Sequence, residues 1–184
     1  MGRTARAMLE RFIREYSERG YQFAFHLCGS AETAQELLQE AFFRVVKKWG
    51  SYDPGLPIEN WFLTILRHVY YDGLKRCEHR RAVSLDAPVE EGELSFSEVV
   101  ADRGEEDLLA RLERQESAEL VRGILDSLSP EHRAILALCD MQGLTYEEIS
   151  AVLDCPLGTV RSRINRARLA FKKKMLERMS EVQV

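Results

Sequence analysis

The sequence predicts an all-α protein made of two small helical domains joined by an acidic linker. Apolar residues recur at helical spacing in both halves of the 184-residue chain. No persuasive strand-type alternation occurs anywhere. Between the halves, proline, glycine and acids replace the periodic pattern. The expected boundaries are 1–82, 83–106 and 107–184, each domain long enough for a core of its own.

The first half opens with Met8, Leu9, Phe12, Ile13 and Tyr16 at helical spacing from about Thr4 to Ser17. A second apolar segment, Tyr21 to Cys28, is closed by Gly29. Ser30 then opens a long helix with a wide stripe of Ala34, Leu37, Leu38, Ala41, Phe42, Val45 and Val46. Glu36, Gln39, Glu40 and Arg44 lie on its other side. Gly50 to Pro57 carries an Asp-Pro-Gly turn signal, and Pro57 suits the first turn of the next helix, which runs to about Arg80. That helix combines Trp61, Ile65 and Val69 with His68, Tyr70, Tyr71, Lys75 and Arg76.

In the second half, Leu120, Val121, Ile124, Leu125 and Leu128 give an amphipathic helix. Ser129 caps the next helix and Pro130 takes its favoured first position. Gly143 can end that helix in the left-handed conformation. Thr145 and Glu148 have the spacing of a capping box, and Asp154-Cys155-Pro156 interrupts the helix they start. A further helix begins near Leu157 with Val160, Ile164 and Ala167 inward. Its outer face carries Thr159, Arg161, Ser162, Asn165, Arg166 and Arg168, and Lys172 to Lys174 extend it. This is a helix-turn-helix with the chemistry of a DNA major groove: guanidinium forks for phosphates and guanine edges, and an amide for adenine.

A formal net charge of −4 fits a DNA binder only once the charge is mapped. Acids from Asp86 to Asp107 crowd the middle, whereas Lys75-Arg76, Arg80-Arg81 and Arg161 to Lys174 are basic. The four cysteines fit no disulfide framework, and His26-x-Cys28 and Cys77-x-His79 match no common zinc module. Small core residues are the expectation, with neither metal nor cofactor. No apolar run approaches a membrane span and the start lacks a signal-peptide core, which makes a cytoplasmic protein the default. No serine nucleophile flanked by arginines, phosphate-binding glycine loop or metal-spaced carboxylate set suggests an enzyme.

Glu147-Glu148-Ile149 followed by Gly158-Thr159-Val160-Arg161-Ser162-Arg163 resembles region 4 of bacterial RNA polymerase sigma factors, closest to the extracytoplasmic-function group. The stretch GSAETAQELLQEAFFRVVKKW resembles region 2.2, and NWFLTILRHVYYDGLKR resembles regions 2.3 and 2.4. The resemblance spans nearly the whole chain except the acidic linker and the tail after Met179. It implies that Glu36, Gln39, Glu40, Phe42 and Val46 bind core RNA polymerase. It gives Tyr52, His68, Tyr71, Lys75 and Arg76 to the promoter −10 element, with His68 standing where relatives often have asparagine. It assigns −35 contacts to Thr159, Arg161, Ser162, Asn165 and Arg166, with Arg168 and Lys173 as further DNA contacts. Arg163 and Arg168 also fit phosphate or ion-pair roles. The helices before the motif would offer polymerase an apolar and basic surface, with His132 and Arg133 nearby. Promoter DNA, core RNA polymerase and an anti-sigma factor are the implied partners. The main rival is a helix-turn-helix regulator that is not a polymerase subunit.

Overall fold

The computed structural model describes residues 3–83 and 108–182, with side chains from 6 to 79 and from 117 to 180. The acidic stretch from Asp86 to Asp107 and the side chains of Arg80 and Arg81 lie outside these residues. Among the described residues there are seven α-helices: α1 (Arg3–Cys28), α2 (Ala31–Lys48), α3 (Ile58–Val83), α4 (Leu108–Asp126), α5 (Pro130–Leu136), α6 (Tyr146–Leu153) and α7 (Leu157–Val182). A 3-10 turn, Trp49–Ser51, follows α2, and a π-helical turn, Ala137–Met141, prolongs α5. No strand occurs among the described residues.

Helices α1, α2 and α3 pack as a three-helix unit around aromatic rings. Phe12 meets Phe62 edge-on with centroids 5.3 Å apart, and Phe42 stacks on Phe62 at 5.2 Å. The sequence suggests a break between Ser17 and Tyr21, yet α1 runs straight through. Gly20 explains it: a Cβ there would lie 2.7 Å from the Phe62 ring and 2.9 Å from Leu38. The missing side chain lets α1 lie close against α2 and α3, and that packing outweighs glycine's weak helix propensity. Ser30 caps α2, its Oγ accepting from the Thr33 N–H at 3.3 Å.

The second half is held by aliphatic side chains and by caps. Ser129 caps α5 and Pro130 follows as its first residue. The helix then widens through Ala137–Met141, a turn the sequence does not announce, before Gly143 turns at φ +70°. Both bonds of the capping box form, Thr145 N–H to Glu148 Oε2 at 2.8 Å and Glu148 N–H to Thr145 Oγ1 at 3.3 Å. Asp154 adopts the left-handed conformation at φ 48°, reversing the chain into α7. Ile149, Val152, Val160, Ile164 and Ala167 are buried to within 1%.

The halves touch, and their buried side chains form one continuous cluster. Helix α1 lies against α5 and the π turn, and α3 lies against α6.

Candidate DNA and polymerase interfaces

Burying Val160, Ile164 and Ala167 fixes the rotation of α7, so its other side faces solvent. Arg161, Ser162, Asn165 and Arg166 are exposed there, and Thr159 is half-buried near the first turn. Ser162 donates to the Thr159 carbonyl at 2.9 Å, and Arg166 Nε donates to the Ser162 carbonyl at 3.3 Å. These bonds hold the side chains along the helix surface. Arg168 turns away from this row. Its guanidinium binds the Asp140 carboxylate on the π turn and reaches Cys139 Sγ at 3.6 Å. It therefore clamps the recognition helix to the scaffold. Lys173 stands further out, 3.8 Å from Glu177 on an exposed face.

On α3, His68 and the adjacent Arg67 share a contact, with Arg67 Nη2 3.1 Å from His68 Nε2. Burial, with the Arg67 charge adding to it, holds the His68 imidazole below its ordinary value. The neutral ring can then accept at Nε2 from the guanidinium. Tyr71 is half-buried, and its hydroxyl is pushed up to about 12 by burial and then by Glu131 of α5. It remains a hydrogen-bond donor across the physiological range. Lys75 and Arg76 are exposed one turn on. Before α3, Tyr52 donates from its hydroxyl to the Leu56 carbonyl at 2.7 Å, and its ring lies 5.0 Å from that of Trp61. Asn60, in the first turn of α3, is buried.

The α2 face divides more sharply than the wide apolar stripe suggests. Glu36, Gln39 and Val46 are exposed. Glu40 is tied to Arg44 at 2.8 Å, and Arg44 also holds Asp72 of α3 at 2.7 Å, which lowers the Asp72 carboxyl. Phe42 points into the aromatic core, whereas its neighbour Phe43 is 53% exposed with Lys47 Nζ 4.1 Å above its ring. The exposed apolar residues of this face are thus Phe43 and Val46. Sequence periodicity could not separate Phe42 from Phe43 on a helix packed on more than one side.

Cys28, Cys139 and Cys155 are partly buried, and Cys77 is exposed. Among the described residues, no three His, Cys, Asp or Glu side chains converge as metal ligands. No described helix is long and apolar enough to cross a membrane.

These arrangements define a class: an all-α DNA-binding protein pairing a helix-turn-helix with a second helical unit that has its own basic and aromatic face. Two family models match the chain, "Sigma-70 region 2" over residues 12–81 and "Sigma-70, region 4" over residues 118–171. The ECF RNA polymerase sigma factor SigE of Mycolicibacterium smegmatis is 35% identical over 172 residues, covering 94% of this chain. The chain spans 63% of that relative's length. ECF RNA polymerase sigma factor EcfG of Rhodopseudomonas palustris is 32% identical over 146 residues, covering 79% of this chain and 73% of that protein. The chain belongs to the ECF RNA polymerase sigma factors, alternative sigma factors that direct transcription initiation. Two solved structures share its fold. RpoE from Bartonella quintana, solved with the anti-sigma factor NepR, superposes with a TM-score of 0.71 at 24% identity, over 91% of this chain and 96% of that one. CnrH, solved with the cytosolic domain of CnrY, gives 0.61 at 18%, over 92% and 88%.

Proposed function

We propose a division of labour among three surfaces of this sigma factor. Glu36, Gln39, Glu40 and Val46 on α2 grip core RNA polymerase, with Phe42 supporting that face from the core and Phe43 adding to it. The loop carrying Tyr52, and His68, Tyr71, Lys75 and Arg76 on α3, hold the opened −10 element, where aromatic planes receive unstacked bases and cations follow phosphates. Thr159, Arg161, Ser162, Asn165 and Arg166 on α7 read the −35 element, with Lys173 on the backbone. Arg168 acts by holding α7 against Asp140. On this reading residues 1–82 form the polymerase and −10 domain, 83–106 the linker and 107–184 the −35 domain.

The observation that carries the proposal is the helix-turn-helix itself, in which one helix buries Val160, Ile164 and Ala167 while presenting four polar side chains outward. Catalysis belongs to polymerase and none to this chain, which works in the cytoplasm. NepR bound to RpoE suggests an anti-sigma factor as a partner here too. A regulator acting without polymerase is not favoured, because it leaves the region 2 match over residues 12–81 unused.

Transcription from a promoter library with purified core polymerase tests the reading. Arg166→Ala is expected to cost about 1–3 kcal/mol at one base pair, as for a bidentate guanine contact. Lys173→Ala is expected to weaken all promoters alike and flatten the salt dependence. Identical behaviour of the two across the library would refute the division between base readers and phosphate contacts.

A further inference from the structure

We propose that Arg67 fixes which nitrogen of His68 carries the proton, so that His68 offers the opened −10 strand an N–H donor and selects a keto base, guanine or thymine, at one position. This deepens the assignment of His68 to the −10 element and rests on it.

A guanidinium stays charged throughout the physiological range and carries N–H donors but no acceptor. Arg67 Nη2 lies 3.1 Å from His68 Nε2, a hydrogen-bond distance. In that bond the guanidinium must donate and Nε2 must accept, so Nε2 carries no proton. A neutral imidazole keeps one proton, which then sits on Nδ1. This is the reverse of the tautomer that free histidine favours. The surroundings keep the ring neutral. Burial comes first and the Arg67 charge second, with Lys48 and Arg44 of α2 acting in the same sense and only Asp72 opposing them. A protonated ring would set donor against donor and break the contact.

Arg67 differs from the arginines that make ion pairs. Carboxylate bonds raise the proton affinity of Arg44 and of Arg168, whereas burial lowers that of Arg67, outweighing the Asp154 charge among others. Its guanidinium is therefore not committed to a carboxylate and is left to the imidazole. Arg67 is half-buried, with Nε enclosed, so the group that holds the ring is itself restrained.

The Nδ1 edge is the one left for a base. His68 is exposed, and its hydrogen bond among the described residues is the one at Nε2. The carboxylate one turn on, Asp72, is drawn towards α2 by Arg44, whose Nη1 donates to Asp72 Oδ2 at 2.7 Å. Arg76 donates from Nε to the Asp72 carbonyl at 3.2 Å, beside the exposed Lys75. This side of α3 is thus rich in donors. Guanine and thymine carry an oxygen where adenine and cytosine carry an amino group. The oxygen accepts from Nδ1–H. An amino group in the same place sets donor against donor and loses its own partner away from water. His68 touches the base, and Arg67 is the positioning residue that decides where its proton sits.

Two measurements test this, the first on the full chain and the second on its holoenzyme. Long-range proton–nitrogen NMR of the histidine-labelled parent at neutral pH should show His68 uncharged, with its proton on Nδ1. Loss of the signals in His68→Asn identifies them. Arg67→Met should release the ring to the Nε2–H form, whereas Arg67→Lys, which still donates, should keep Nδ1–H. A parent with the proton on Nε2 overturns the inference. Holoenzyme formed with core polymerase is then selected on fork-junction DNA randomised over the non-template −10 strand. The parent should enrich guanine or thymine at one position by roughly five- to fiftyfold over adenine and cytosine. His68→Asn, whose amide offers both a donor and an acceptor, should turn that position towards an amino base. Arg67→Met should flatten the preference there and Arg67→Lys should retain it. If His68→Asn changes one position at which the parent does not favour keto bases, the inference fails and the −10 assignment stands. If His68→Asn leaves every position unchanged, the assignment of His68 fails and the inference with it.

Discussion

The two halves reach similar helical packing by different means. The first is built from two 26-residue helices and one of 18, locked by Phe12, Tyr16, Phe42, Trp49 and Phe62 in mutual ring contact. The second relies on helices of seven and eight residues, α5 and α6, around Ile135, Leu136, Leu138, Ile149 and Val152. Helices that short do not persist alone, because nucleation is costly and few bonds follow it. They survive through caps and burial, with Ser129 and Thr145 at their starts, Gly143 after the π turn and Asp154 at the end of α6. Long helices draw on packing along their whole length and can tolerate an awkward residue such as Gly20. The proposed −10 face thus rests on a ring-packed block, while α7, 26 residues long and the proposed −35 reader, is seated on two short helices that depend on local punctuation.

The largest test of this contrast is Phe62→Ala. Phe62 is 1% exposed at the centre of the rings, and its loss should cost about 3–5 kcal/mol in denaturant unfolding. A cost below about 1 kcal/mol would mean that the rings are not what holds the first half. Thr145→Ala should follow at about 1 kcal/mol, removing the capping box of α6 and weakening −35 binding with it. Ser30→Ala removes a comparable cap from the long α2 and should affect DNA binding less. Equal effects from the two would break the link between helix length and cap dependence. The Arg168–Asp140 pair is more exposed, and Arg168→Ala should cost about 0.2–1 kcal/mol in stability. If Arg168 acts as a clamp, Asp140→Ala should reproduce its effect on promoter binding. A direct DNA contact would make Arg168→Ala alone steepen the loss.

The smallest expected effect is a pH dependence across the contact. Burial, and after it the Arg122 charge, holds His26 below its ordinary value of 6.5. As pH falls through about 6.5 the unfolded chain takes up this proton first, so stability present above that point declines below it. His26→Gln should lose less stability than the parent between pH 7 and 5.5. Parallel curves for the two proteins would remove His26 from the account.

Legibility followed the same contrast. Ser30, Ser129, Thr145, Gly143 and the turn before Leu157 were readable because each acts within a few residues of itself. The inner face of α7 was readable because a helix packed on one side repeats plainly. The continuity of α1 across Ser17 to Tyr21 was not readable, because the role of Gly20 depends on Phe62, more than forty positions away. Phe42 and Phe43 could not be told apart on a helix with an apolar stripe wider than one contact. The hydrogen bond from Arg19 to the Gln142 carbonyl was missed altogether, its partners being 123 residues apart in sequence. Arg133 was placed near a surface expected for polymerase, and its bond to the Leu27 carbonyl, 106 residues away in sequence, was not readable.

The loop before α3 has an optical consequence. The chain holds two tryptophans, and both sit at this loop: Trp49 and Trp61 have ring centroids 6.4 Å apart, with Tyr52 5.0 Å from Trp61. Tryptophan emission from the whole protein therefore originates within one cluster, next to the place where an unstacked base is expected to lodge. Stacking of a nucleobase there should quench that emission through electron transfer from the excited indoles. The unlabelled protein is then its own reporter of strand capture, with a time resolution set by mixing rather than by any attached dye.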